Sequence, residues 1–249
     1  MQVIDRALDI IEQLSESSKS MGPTKIAENT GLNKSTVHRL LATLLRRNYV
    51  EKNEEDGTYT LGPKLIEVVS SHIGSLELQT EARPYLSALA MDLNLTVHLG
   101  IQDGAEVIYI EKLDTIPTKQ LYSQIGYRVP AYCSSLGKCL LASLSGAELE
   151  EVMASCRFER FTKNTIPNME ELKKHLRQVR SQGWAMDNQE YVVDHLCVGA
   201  PVYDYRGEII AAVSASGTTA KITETNLPAV IREVKRTASR ISRRLGYLT

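Results

Sequence analysis

The sequence predicts an α+β protein with an N-terminal winged helix-turn-helix, a linker helix, and a C-terminal domain built on a mostly antiparallel sheet. Three observations carry this expectation. Apolar residues recur at helical spacing from Val3 to Leu14, two short helices follow, and these give way to a hairpin signal, Asp56-Gly57. A long helical pattern, Lys64 to Leu93, then leads into alternating strand-like and helix-like segments up to the C-terminus. With 249 residues, the chain has room for one large domain or two ordinary ones, each able to bury a core.

In the first segment Ile4, Ala7, Leu8, Ile11 and Leu14 share one helical face. MGPTKIAENTGLNKSTVHRLLATLLRRNYV follows as two short helices split by a turn at Gly31, with Thr24 expected to cap the first and Asn33 the second. Val37, Leu40, Leu41 and Leu44 fall on the inner face of that second helix. Tyr49–Lys52 and Thr58–Leu61 flank the hairpin turn, which sets the winged domain at residues 1–62. The linker helix is expected at 63–78, with a kink or new helix start near Arg83, since Pro84 lacks the backbone donor. In the second domain, 79–249, TVHLGI, EVIYIEK, KQLYS, GWAMD, LCVGAPVYD and EIIAAVSASG read as strands. LGKCLLASL, ELEEVM, MEELKKHLRQVRSQG and a final stretch from Pro228 to Leu245 read as helices, and Tyr205-Arg206-Gly207 as a hairpin turn.

The net charge is −1, which excludes a generally sticky polycation and makes local charge placement decisive. Between Asn29 and Val50 the bases Lys34, Arg39, Arg46 and Arg47 stand without a single acid. In a helix-turn-helix the second helix presents its first residues to base edges in the major groove, while its neighbours hold phosphate. Lys34, Ser35 and Thr36 occupy that first turn, where amides and the helix dipole favour phosphate. His38 and Arg39 follow one turn on, Arg39 with the fork that suits guanine, while Arg46 and Arg47 are expected either to hold phosphate or to pack at the domain edge. Glu54, Glu55 and Asp56 at the hairpin tip would repel phosphate, so the tip is expected to point away from DNA, with Lys52 at its base.

A second constellation lies in RVPAYCSSLGKCLLA, where Ser134 and Ser135 precede a helix whose first amides, those of Ser135, Leu136 and Gly137, suit a carboxylate or phosphate. Asp187, Glu190 and Cys197 add polar groups at sheet positions, and Ser214 and Ser216 share a strand face. Serine caps and strand hydroxyls also occur in plain cores, so these residues by themselves leave both a core and a cavity open.

Several stretches together resemble the IclR-type bacterial transcription regulators over nearly the whole chain. GWAMDNQEYVVDHLCVGAPVYD (183–204) is similar to the family's C-terminal signature: Gly183, Asp187, Glu190, a Cys197-aliphatic-Gly199 block and the Tyr203-Asp204 pair. PAYCSSLGKCLLA resembles a second family block and NKSTVHRLL its recognition helix. The resemblance implies a winged helix-turn-helix, a linker helix and a GAF-like effector domain, working as a homodimer or a dimer of dimers. It implies a small carboxylate effector, no cofactor and no metal. The implied ligand contacts are Ser135 and Leu136 through their amides, with Asp187, Cys197, Ser214 and Ser216; operator DNA is the implied partner. Ser135-Leu136 stand where a glyoxylate-responsive relative would carry Gly-Ala, and LYSQIGYRVPAYCSSLGK is closer to regulators answering to sugar acids such as 2-keto-3-deoxygluconate.

Three rival readings are weighed. Cys133 or Cys197 as a nucleophile with His195 or His98 as base would make an enzyme, but no catalytic spacing supports it. Cys133, Cys139, Cys156 and Cys197 lie far apart, which indicates neither a disulfide framework nor a metal sensor. A charged helix that binds an acidic protein is the third. No apolar run approaches the roughly 18 residues of a membrane span, and a cytoplasmic protein is expected.

Overall fold

The computed structural model describes residues 2–17, 20–74, 77–114 and 124–247. The chain divides into two compact units, Met1–Leu76 and Glu77–Thr249.

The first unit contains α1 (Gln2–Glu16), α2 (Pro23–Thr30), α3 (Lys34–Arg46), a hairpin of β1 (Val50–Lys52) and β2 (Tyr59–Leu61), and α4 (Pro63–Gly74). Pro23 opens α2 with its φ already helical, and its missing N–H falls where the first turn has no acceptor anyway. Gly22 therefore holds the cap position, and Thr24 lies inside the helix instead of capping it. Gly31 ends α2 at φ 68°, in the left-handed region where glycine carries no Cβ penalty. Asn33 does stand at the cap of α3 in extended conformation, yet its side chain makes no capping bond. Ile10, Leu14, Ile26, Val37, Leu40, Leu41, Leu44 and Val50 form the core of the unit, as the spacing in α3 requires. The expected face of α1 is rotated: Ile10 and Leu14 are buried, whereas Ile4 is 67% and Leu8 49% exposed. The small α2–α3 pair covers only one side of α1, so apolar residues at its start stay uncovered.

The second unit begins with α5 (Glu77–Leu93), followed by β3 (Thr96–Asp103), β4 (Glu106–Leu113), β5 (Arg128–Pro130), α6 (Ser135–Leu141), α7 (Gly146–Met153), α8 (Met169–Gln182), β6 (Ala185–Asn188), β7 (His195–Tyr203), β8 (Ile209–Thr218) and α9 (Leu227–Arg244). Its six strands form one antiparallel sheet in the order β5-β4-β3-β8-β7-β6. One core joins α5 and α9 to one sheet face, and a second joins α6, α7 and α8 to the other. The expected strand KQLYS lies outside the described residues, and the short β5 has no sequence expectation behind it. Pro84 sits inside α5 and starts no new helix. Ala82, Leu86, Leu89 and Ala90 are buried against the sheet and α9, and this packing outweighs the hydrogen bond that proline removes.

Candidate functional site

The register of the sheet brings the predicted pocket residues together. Thr96 pairs with Ser216, Ser216 with Cys197, and Cys197 with Asp187, so that four polar groups cross β3, β8, β7 and β6 in one row. Two residues along lies the row His98, Ser214, Gly199 and Ala185, on the same face because side chains alternate along a strand. Gly199 is the gap in the grid. A Cβ there would meet the carbonyl carbon and oxygen of Ser135 at 2.9 Å, so only glycine lets the start of α6 lie on the sheet.

Ser134 caps α6: its Oγ accepts from the amide of Gly137 at 3.1 Å, and its carbonyl accepts from the amide of Lys138 at 3.0 Å. Gly137 is thus not a free donor, contrary to expectation. The amides of Ser135 and Leu136, in the first turn, have no acceptor within the helix. Between this helix start and the two sheet rows lies a cavity of about 50 Å³, and Ser135, Leu136, Asp187, Cys197, Ser214 and Ser216 all line it.

Burial, followed by the nearby Glu190 carboxylate, pushes the Asp187 carboxyl up to about 7. Its Oδ1 accepts from the amide of Glu190 at 2.7 Å. Glu190 in turn pairs with Lys138, whose ammonium also donates to the carbonyl of Met186; both side chains are almost fully buried. This buried ion pair ties α6 to the segment after β6 and fixes Asp187 relative to the helix start. Burial raises the thiols of Cys197 and Cys133 far above the ordinary cysteine range, with Asp187 adding to the effect. Neither is a ready nucleophile. His195 donates to or accepts from Ser216 Oγ at 2.8 Å, and burial lowers its pKa.

Sequence reasoning missed Thr96, Tyr109 and Tyr191 as lining residues and considered His98 and His195 only as bases. Thr96 and His98 do alternate like Ser214 and Ser216, but which strand stands beside which is a tertiary fact. Among the described residues no group of three or more His, Cys, Asp or Glu side chains could hold a metal. No described helix is long and apolar enough to cross a membrane.

In the first unit α3 exposes Lys34, Ser35, His38, Arg39 and Arg46 while Val37, Leu40, Leu41 and Leu44 face inward; Thr36 is half-buried. Ala42 and Thr43 are exposed beside them, two positions absent from the expected set. Among the described residues, no acid pairs with Lys34, Arg39, Arg46 or Arg47, so their charge faces outward uncompensated. Lys52 by contrast pairs with Glu54 at 2.8 Å, which draws the base of the wing into the acidic tip.

Two family models match the chain: the IclR helix-turn-helix domain over residues 3–54 and the bacterial transcriptional regulator IclR C-terminal domain over residues 70–243. The HTH-type transcriptional regulator XynR of Escherichia coli K12 is 36% identical over 99% of this chain and 98% of its own length. KdgR of the same strain is 32% identical over 97% and 92%. Among solved structures, the Thermotoga maritima IclR superposes with a TM-score of 0.85 at 31% identity, covering 99% of this chain and all of that one.

Proposed function

Because the chain belongs to the IclR family of bacterial transcriptional regulators, and is a DNA-binding regulator and not an enzyme, we propose that a small carboxylate governs its hold on operator DNA from the pocket at the start of α6. The observation that carries this reading is the convergence of Ser135, Leu136, Asp187, Cys197, Ser214 and Ser216, from a helix and three strands, on one cavity. The first-turn amides of Ser135 and Leu136 take the carboxylate, and the hydroxyls and Asp187 take the rest of the molecule. The polar lining supports a hydroxylated acid of the sugar-acid class, 2-keto-3-deoxygluconate included. The volume of about 50 Å³ favours a second reading, a hydroxy or keto acid of a few carbons, since a six-carbon chain exceeds that space. A thermal-shift screen of both classes separates them. The acid that binds raises the melting temperature, and Ser214→Ala removes the rise; a screen in which no acid shifts the melt sinks the effector reading.

Lys34, Ser35, Thr36, His38, Arg39 and Arg46 form the proposed DNA face, used twice by a homodimer on half-sites about 34 Å or a multiple apart. The exposed apolar start of α1, Val3, Ile4 and Leu8, supports self-association, since a soluble protein rarely leaves such a cluster bare. Leu8→Glu is expected to shift the sedimentation coefficient to that of a monomer, and an unchanged assembly places the dimer contact elsewhere.

A further inference from the structure

His98 stands in the middle of β3, is 4% exposed, lines the cavity, and has no partner for Nε2 among the described groups. A buried polar nitrogen without a partner is rare in a folded protein, because it has left water and gained nothing in exchange. Its ring lies against Tyr109 with centroids 4.6 Å apart, and Ser214 is its cross-strand neighbour on the same sheet face. Burial, followed by the Lys112 charge, lowers its pKa to about 3, and the imidazole is neutral throughout the physiological range. A neutral ring offers no counter-charge to a carboxylate, whereas the first-turn amides of α6 are donors suited to one. Its unpartnered nitrogen is available to another part of a molecule in the cavity.

We propose that His98 selects hydroxylated acids, its free ring nitrogen pairing with a hydroxyl on the carbon chain of the bound effector. This rests on the reading of the cavity as an acid pocket. A hydroxyl donates and accepts, so it satisfies Nε2 in either tautomer; a ketone oxygen satisfies only one, and a methylene neither. Sites built to pair with a hydroxyl discriminate strongly against analogues that lack it, since the site's own polar group is then left bare.

Isothermal titration of the full chain with two matched pairs, glycerate against propionate and gluconate against hexanoate, together with 2-keto-3-deoxygluconate, tests the assignment. The wild-type protein is expected to prefer a hydroxylated acid over its plain counterpart by tenfold or more. His98→Phe keeps the ring packed on Tyr109 but removes the nitrogens, and is expected to bring that ratio to about one by weakening only the hydroxylated member. His98→Ala serves as the second variant should the first not fold, and in the wild-type protein the imidazole ¹⁵N resonance of His98 is expected to move on binding the hydroxylated acid. A folded variant that keeps the wild-type ratio, or a resonance that stays put, overturns the proposal. Acid binding lost in Ser214→Ala but unaltered in His98→Phe overturns it while leaving the pocket standing, whereas a wild-type protein that binds none of the five acids removes both.

Discussion

Asp187 shows how one residue serves both the fold and the pocket. Its folded-state pKa of about 7 lies above the ordinary 3.8, so between these values the folded protein holds a proton that the unfolded chain has released. Stability therefore falls as pH rises through this window, and the loss is complete once the folded group ionises above pH 7. Asp187→Asn removes this component. The variant is expected to gain on the wild type by on the order of 2 kcal/mol between pH 5.5 and pH 8, read from urea unfolding at the two values. Taking the difference between the two proteins cancels the opposite slope of His98, whose lowered pKa costs stability on acidification. Equal pH slopes in the two proteins would mean that Asp187 is ionised in the folded state. Lys138 and Glu190 act on the same carboxyl in opposite senses, the Glu190 charge raising its pKa and the Lys138 charge lowering it.

At the scale of elements, the pocket depends on how closely α6 lies on β7. Ser134 supplies the cap, Gly199 supplies the clearance, and the first two amides of the helix are left facing the sheet rows. Gly199→Ala places a methyl group 2.9 Å from the Ser135 backbone, so the helix start must lift. The variant is expected to fold, with a stability loss of about 1–3 kcal/mol from overpacking, and to lose acid binding by calorimetry. Wild-type affinity in this variant would show that the helix amides do not hold the ligand. In α3 the same logic of one face runs the other way: four buried apolar residues hold the helix, and Lys34, Ser35, His38 and Arg39 on its other side are exposed.

At the scale of the molecule, the proposed function puts DNA on one unit and effector on the other, so binding energy in one is passed to the other as a change in the population of DNA-competent molecules. Arg39→Ala is expected to lower operator affinity by about 1–3 kcal/mol and to broaden the preferred sequence, measured by competition binding against scrambled DNA at fixed salt. A loss of affinity with unaltered sequence preference would make Arg39 a phosphate contact and move base reading to other residues of α3. Effector binding is expected to be untouched in this variant, because the pocket belongs wholly to the other unit.

The sequence by itself determined the winged helix-turn-helix, the α+β class of the second unit and the inner face of α3, because these rest on local periodicity and turn chemistry that act within a few residues. It also offered the six lining residues as weak separate signals, which only motif resemblance joined into one site; composition and spacing left Ser214, Ser216 and Cys197 as core or cavity alike. The tertiary structure decided the rest. Whether α1 buries Ile4 or Ile10 depends on what packs against it, and whether Pro84 breaks a helix depends on how much apolar surface that helix covers. That Thr96 and His98 stand beside Ser216 and Ser214 follows from β3 pairing with β8, strands separated by more than a hundred residues, for which no local signal exists.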